Sequence, residues 1–214
     1  MKKILHVSCS PRGQTAESYR LAQSIIGLLL QKEPMIMIDR AIGAGSMPHV
    51  DENYAISQQS LADVSQQGSM VQSEELIVEL EAADFVVIST PMHNLTVPSS
   101  LKAWIDHVVR ARGTFRMTPS GKVGTLRDRP VFIAISSGGR FSAERARQPD
   151  FLTPYLKTIL SGIGLHDLNF FSVEGTGSGP DTIAQARVKE DQAIRAYFAS
   201  RWPDSQSALR AGNG

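Results

Sequence analysis

Short apolar runs alternate with amphipathic stretches along the chain. Ile4-Leu5-His6-Val7 has the pattern of a buried strand and ends in a polar, glycine-containing loop, Ser8–Thr15. Leu21, Ile25, Leu28 and Leu29 recur at helical spacing and predict a first helix from about Ala16 to Gln31, which Pro34 stops. Met35–Asp39 predicts a second strand. Leu76, Ile77 and Leu80 mark a helix that leads into Phe85–Ser89, a run rich in β-branched residues, as suits a parallel strand covered on both faces. Val131–Ile135 and Leu168–Val173 predict two more strands, and helices are expected over Leu101–Arg110, about Pro154–Ser161, and Thr182–Ala199.

This alternation predicts an α/β fold, a doubly wound parallel sheet of five strands with helices on both faces. The flavodoxin-like order 2-1-3-4-5 puts a ligand crevice at the carboxyl ends of the first and third strands. Alternation alone also permits a dinucleotide-binding arrangement. One domain is expected over residues 1–200, with 201–214 a short polar tail that frays. Ala41–Ser73 is polar, with some helical spacing at Ile56, Leu61 and Val64, and Gly113–Pro130 reads as a loop or irregular hairpin.

Composition removes several classes. The formal charge of +1 gives no bulk field toward nucleic acid or an anionic membrane. A single cysteine, Cys9, excludes an internal disulfide and reads either as a packed, reduced residue or as a reactive thiol. No apolar run reaches the ~20 residues of a membrane span. The apolar run after Met1-Lys2-Lys3 is too short for a signal peptide, so the cytoplasm is the expected compartment. His6, His49, His107 and His166 show no ligand spacing, so no metal site is expected. His107 reads as a surface or interface residue, and Trp104 as core or dimer contact.

Three loops carry candidate chemistry. Ser8–Ser18 joins a strand end to a helix start, where backbone N–H groups and the helix dipole favour an anion. Ser10, Thr15 and Ser18 add hydroxyls, and Gly13 lets the chain curl. A Walker loop fails because Ser18-Tyr19-Arg20 stands where Gly-Lys-Ser/Thr is required after Gly13. The dinucleotide fingerprint fails for lack of glycines, and a cysteine-phosphatase loop has Thr15 where its arginine belongs. Hydroxyl-rich turns of this kind also serve as plain helix caps. The second loop, Thr90–Ser100, offers Met92, Leu95 and Val97 as an apolar wall and Asn94 for edge hydrogen bonds, with Ser99 or Ser100 able to cap the next helix. His93 there is either a packed imidazole or a group facing substrate. In the third loop, Ser136–Phe141, paired glycines let a ligand approach the backbone, as does many an ordinary turn, and Arg140 could meet a phosphate. The loops follow strands one, three and four, so all three line one crevice.

Pro91-Met92-His93-Asn94-Leu95-Thr96-Val97-Pro98-Ser99-Ser100-Leu101-Lys102-Ala103-Trp104-Ile105-Asp106 resembles the Pro-Met-Tyr-Asn-Phe-x-(Ile/Val)-Pro-x-x-Leu-Lys-x-(Trp/Tyr)-(Ile/Phe)-Asp signature of FMN-dependent NADH:quinone oxidoreductases, the azoreductase family. Arg110-Ala111, Gly113-Thr114-Phe115-Arg116, Gly121, Val123-Gly124, Pro154-Tyr155-Leu156 and Gly162-Ile163-Gly164 fit as well. The resemblance runs from Lys3 to about Phe198. It implies a flavodoxin-like homodimer with a site at each subunit interface and non-covalent FMN. NADH or NADPH would reduce the flavin, which then reduces a quinone or azo compound in a two-step hydride exchange.

By resemblance, Ser10, Ala16, Glu17 and Ser18 hold the phosphate, with Ala16 replacing a common serine. Met92, His93, Asn94 and Leu95 contact the ring, and Ser136, Ser137, Gly138 and Gly139 form the glycine loop. His93 is the candidate proton donor or substrate contact, standing where tyrosine is usual. Leu95 replaces phenylalanine, and Met117 stands where an aromatic is common, so the aromatic wall is thinned and substrate preference stays open. Two further readings stay open: a flavin-binding electron carrier or redox sensor without dedicated turnover, and a non-flavin regulatory protein that uses the fold as an interaction surface.

Overall fold

The structure is a computed structural model and describes residues 1–45, 47–59, 67–142 and 146–203. Five parallel strands form its sheet: β1 (Lys2–Ser8), β2 (Met35–Ala41), β3 (Phe85–Pro91), β6 (Val131–Ser137) and β7 (Leu168–Glu174), in the order β2-β1-β3-β6-β7. This is the expected 2-1-3-4-5 order of the predicted strands. Strands β1, β3 and β6 are buried along almost their whole length, which is why they read as continuous apolar runs. β2 lies at the sheet edge and alternates between half-buried and exposed positions.

Two apolar layers sandwich the sheet. Leu21, Ile25 and Leu29 of α1 (Glu17–Lys32) and Ile194 and Phe198 of α6 (Pro180–Arg201) pack with Ile4, Val87 and Phe132. Leu76 and Leu80 of α3 (Ser69–Ala82), Leu101 and Trp104 of α4 (Ser99–Val108), and Leu156 and Leu160 of α5 (Leu152–Ser161) pack with Leu5, Val7, Ile88 and Ile133. Trp104 is buried, as expected. Successive residues of β1 and β3 therefore face different layers, the period of a pleated strand.

The two uncertain segments resolve. The polar stretch Ala41–Ser73 contains a short helix, α2 (Glu52–Gln59), and the first turn of α3; Leu61 and Val64 lie outside the described residues. Asp51 joins the two helices, accepting from the backbone N–H of Tyr54 at 3.2 Å and of Ser69 at 2.8 Å. The Ser69 hydroxyl, donating to the same carboxylate at 2.7 Å, and then those backbone bonds hold its carboxyl down at about 2. Gly113–Pro130 contains an antiparallel hairpin, β4 (Phe115–Thr118) with β5 (Gly121–Gly124), so the hairpin alternative holds. Residues 204–214, on which the frayed-tail expectation falls, lie outside the described residues. No described helix is long and apolar enough to cross a membrane.

Candidate functional site

Because β3 lies between β1 and β6, the loops after these strands meet at one end of the sheet. Direct bonds join them. Ser100 Oγ donates to Cys9 O at 3.2 Å and the Met92 N–H donates to Ser136 O at 2.8 Å, while the Cys9 N–H extends the β1–β3 ladder to Ser89 O at 2.9 Å. A cleft of about 410 Å³ opens beside the first two loops, bordered by Pro11, His49, His93 and Ser100.

In the first loop Ser10 is buried, and its Oγ accepts from the Arg12 N–H at 3.2 Å. Gly13 turns the chain with φ +55°, and Thr15 Oγ1 donates to Arg12 O at 2.9 Å, so that hydroxyl is spent inside the turn. Ala16 is the N-cap of α1 and has no side-chain oxygen with which to satisfy the first N–H groups. The next hydroxyl, Ser18 Oγ, is fully buried and has no hydrogen-bond partner among the described residues. An uncapped helix N-terminus beside an orphaned buried hydroxyl is the chemistry of an anion cradle. Glu17 turns its carboxylate away to Arg187 on α6, whose guanidinium holds that carboxyl below its usual range. A segment with no predicted role braces the loop: a Cβ on Gly43 would lie 2.0 Å from Ser10 O, so only glycine lets the chain after β2 approach.

In the second loop Asn94 and Leu95 both have positive φ, +48° and +71°. They are the central pair of a tight turn in which the backbones of His93 and Thr96 exchange bonds of 2.9 and 3.0 Å. Asparagine tolerates this region, whereas leucine there costs on the order of 1 kcal/mol or more. The Phe151 N–H fixes the turn by donating to Leu95 O at 3.1 Å. His93 and Asn94 are exposed, Leu95 is half-buried and Met92 is buried. Ser99 and Ser100 do not cap α4. Pro98 is the N-cap, and the Ser100 hydroxyl donates instead to Cys9 O, a bond that ties the first two loops together.

In the third loop Ser136 is half-buried and Ser137 buried, while Gly138 is exposed with open space where a Cβ would go. A Cβ on Gly139 would meet Gln148 Oε1 at 2.2 Å. Gln148 Nε2 in turn donates to Ser137 Oγ at 3.1 Å and to the Met92 sulfur at 3.2 Å. The chain after β7 zips onto this loop, with Gly175 N–H to Gly139 O at 3.2 Å and Thr176 N–H to Ser137 O at 3.0 Å. Hydrophobic periodicity does not show that contact, although Gly175-Thr176-Gly177-Ser178-Gly179 at a strand end is a visible sign of it.

Three other residues settle. Cys9 is fully buried, its S–H directed at Val7 O at 3.6 Å, and burial pushes its thiol pKa up, which is the packed and reduced alternative. His107 is not a surface residue: it is fully buried, and its Nε2 pairs with Pro48 O at 3.0 Å, pinning the segment that carries His49. His6 is buried between Asp39 Oδ1 and Ser89 Oγ, each at 3.0 Å, a network that helical and strand periodicity cannot show.

Residues 2–198 match a family model described as the flavodoxin-like fold. The chain is 44% identical over 191 residues to FMN-dependent NADH:quinone oxidoreductase 2 of Cupriavidus pinatubonensis, covering 86% of this chain and 92% of that one. It is 43% identical over 197 residues to FMN-dependent NADH:quinone oxidoreductase 4 of Pseudomonas fluorescens, with coverage of 92% and 94%. Among solved structures, an azoreductase from Bacillus anthracis superposes with a TM-score of 0.76 at 22% identity, covering 91% of this chain and 99% of that one.

Proposed function

The chain belongs to the family of FMN-dependent NADH:quinone oxidoreductases, and we propose on that premise that it oxidises NADH or NADPH and reduces quinones and azo compounds, with FMN held by the three converging loops. The observation that carries the site is the uncapped start of α1 beside the buried, unpartnered Ser18 Oγ. A phosphate there would accept from that hydroxyl and from the first N–H groups of the helix. Ser10, Ala16 and the backbone of Glu17 complete this cradle, while the Glu17 side chain is committed to Arg187 and makes no bond to the phosphate. Met92, His93, Asn94 and Leu95 would form the wall against the ring, and Ser136, Ser137, Gly138 and Gly139 the edge opposite.

When bound, FMN supplies the hydride chemistry, accepting from a nicotinamide and giving to a quinone or azo acceptor. The chain's part is to bind, orient and donate protons. The bonds from Met92 N to Ser136 O and from Ser100 Oγ to Cys9 O fix the spacing of the loops before any ligand arrives. Asn94, exposed on its turn, offers an amide for orientation, and His93 borders the cleft with an exposed imidazole that suits a proton donor to the acceptor. An essential proton role predicts that His93→Ala loses ~100-fold or more in kcat. A rise in KM alone would leave His93 as a contact.

A homodimer in the cytoplasm belongs to the same proposal, as does a single FMN-binding domain over residues 1–200. Met117 and Val123, exposed on the hairpin, give apolar surface for a second subunit. Titration of the purified apoprotein with FMN tests the site. Saturable quenching of flavin fluorescence is expected, and fluorescence unchanged by the protein would sink the reading. FMN binding without NAD(P)H oxidation would favour the electron-carrier reading instead.

A further inference from the structure

The phosphate cradle contains an acid. Glu17 is the first residue of α1, so its carboxylate stands at the helix end that would receive a phosphate dianion. Its surroundings come from a distant part of the chain. Arg187 on α6 grips both carboxylate oxygens, with Nε at 2.9 Å from Oε2 and Nη2 against Oε1. Arg20 stands farther off, its Nε 3.4 Å from Oε2, and its Nη1 is committed to Asp191, 3.2 and 3.1 Å from the two carboxylate oxygens. Two carboxylates and two guanidiniums thus sit between α1 and α6, paired Glu17 with Arg187 and Asp191 with Arg20. The Glu17 side chain is 16% exposed and its partner Arg187 43% exposed, so solvent reaches the pair from the Arg187 side, and the partner sets much of the negative charge the cradle feels.

We propose that Arg187 is a positioning residue for the cofactor phosphate. It acts through Glu17, turning that carboxylate toward α6 and cancelling its charge so that the start of α1 stays attractive to an anion. The inference rests on the FMN reading above. Neutrality of the four-residue cluster leaves the helix dipole and the free N–H groups to set the field at the cradle. Without Arg187, Glu17 keeps only the partial attention of Arg20, and an uncompensated charge faces the phosphate. A full charge within ~10 Å, at an effective dielectric of ~20, shifts affinity roughly ten-fold or more.

The test is FMN affinity, read by flavin fluorescence quenching in the full-length apoprotein, across a double-mutant cycle. Arg187→Gln is expected to weaken FMN binding roughly ten-fold, and Glu17→Gln to bind at least as tightly as the parent. The double variant Glu17→Gln/Arg187→Gln should return to within about three-fold of the parent, because the charge is gone although the bridge is gone too. A packing latch between α1 and α6 predicts the reverse, so a double variant as weak as Arg187→Gln overturns the proposal. Parent-like affinity in Arg187→Gln overturns it as well. Should Arg187→Gln melt far below the parent, Arg187→Lys takes its place. Retained affinity there upholds the charge role, and a ten-fold loss overturns it. No FMN binding by the parent would end the functional reading and this inference together, whereas an altered cycle ends only the inference.

Discussion

His6 shows what a single residue contributes beyond the site. It lies on β1 with the edge strand on one side and β3 on the other, and its ring bridges Asp39 and Ser89 beneath Tyr19 of α1. Burial lowers its pKa against the opposing pull of Asp39, so the folded protein holds it neutral more firmly than the unfolded chain does. A depressed folded pKa contributes stability that is full above the unfolded value of ~6.5 and is lost as the pH falls toward and through the folded value. Urea unfolding of the parent should therefore show stability declining below about pH 6.5, and His6→Leu should flatten that part of the profile. An equal decline in the variant would assign the acid sensitivity elsewhere. At neutral pH the same substitution leaves Ser89 Oγ unpaired in the core and should cost roughly 1–3 kcal/mol.

At the scale of elements, the site depends on close approaches between loops. The chain after β2 touches the loop after β1 only because Gly43 has no side chain. Gly43→Ala should cost roughly 1–3 kcal/mol of stability and weaken FMN binding, since backbone must move against backbone. Parent-like values in urea unfolding and FMN titration would show that this contact is slack. The turn at Asn94-Leu95 gives the opposite sign: Leu95→Gly should relieve the strain at φ +71° and raise the unfolding free energy by ~1 kcal/mol, and the midpoint with it, while removing apolar surface from the wall. A lowered midpoint would mean that Leu95 gains more from its contacts than its backbone loses.

These elements also show what could be read from the chain alone. Strands β1, β3 and β6 are buried on both sides, so their apolar runs were unmistakable, and the resemblance at Pro91–Asp106 pointed to the second loop. Helix α2 is legible only as some helical spacing at Ile56, because it is nearly as polar on one face as on the other. Helix α3 was seen only in part, since its first turn falls in a polar stretch and is capped by Asp51 from outside the helix. Burial of His107 depends on a carbonyl 59 residues away, and the partner of Glu17 is 170 residues distant. Periodicity reports which face is buried but carries no information about such pairings.

For the whole molecule, the sheet order makes the site. Placing β3 between β1 and β6 brings three loops, separated widely in sequence, to one edge, and the mostly buried strands beneath keep them there. The loops are already bonded to one another, so ligand binding should add stability with little rearrangement. At an FMN concentration of ~100 Kd, linkage gives about 2.7 kcal/mol, which for a chain of this size raises Tm by roughly 5–10 °C. An unchanged Tm at saturating FMN would contradict a specific site.

Passage of hydride from a nicotinamide to a quinone at one site can be followed by anaerobic stopped-flow spectroscopy of the FMN-loaded protein. The expected record has two phases: NADH bleaches the bound flavin, and a quinone added after the reductant is spent restores its colour. Flavin that stays oxidised in excess NADH and excess NADPH, or that is bleached but not reoxidised by any of a panel of quinones, would rule out this hydride transfer.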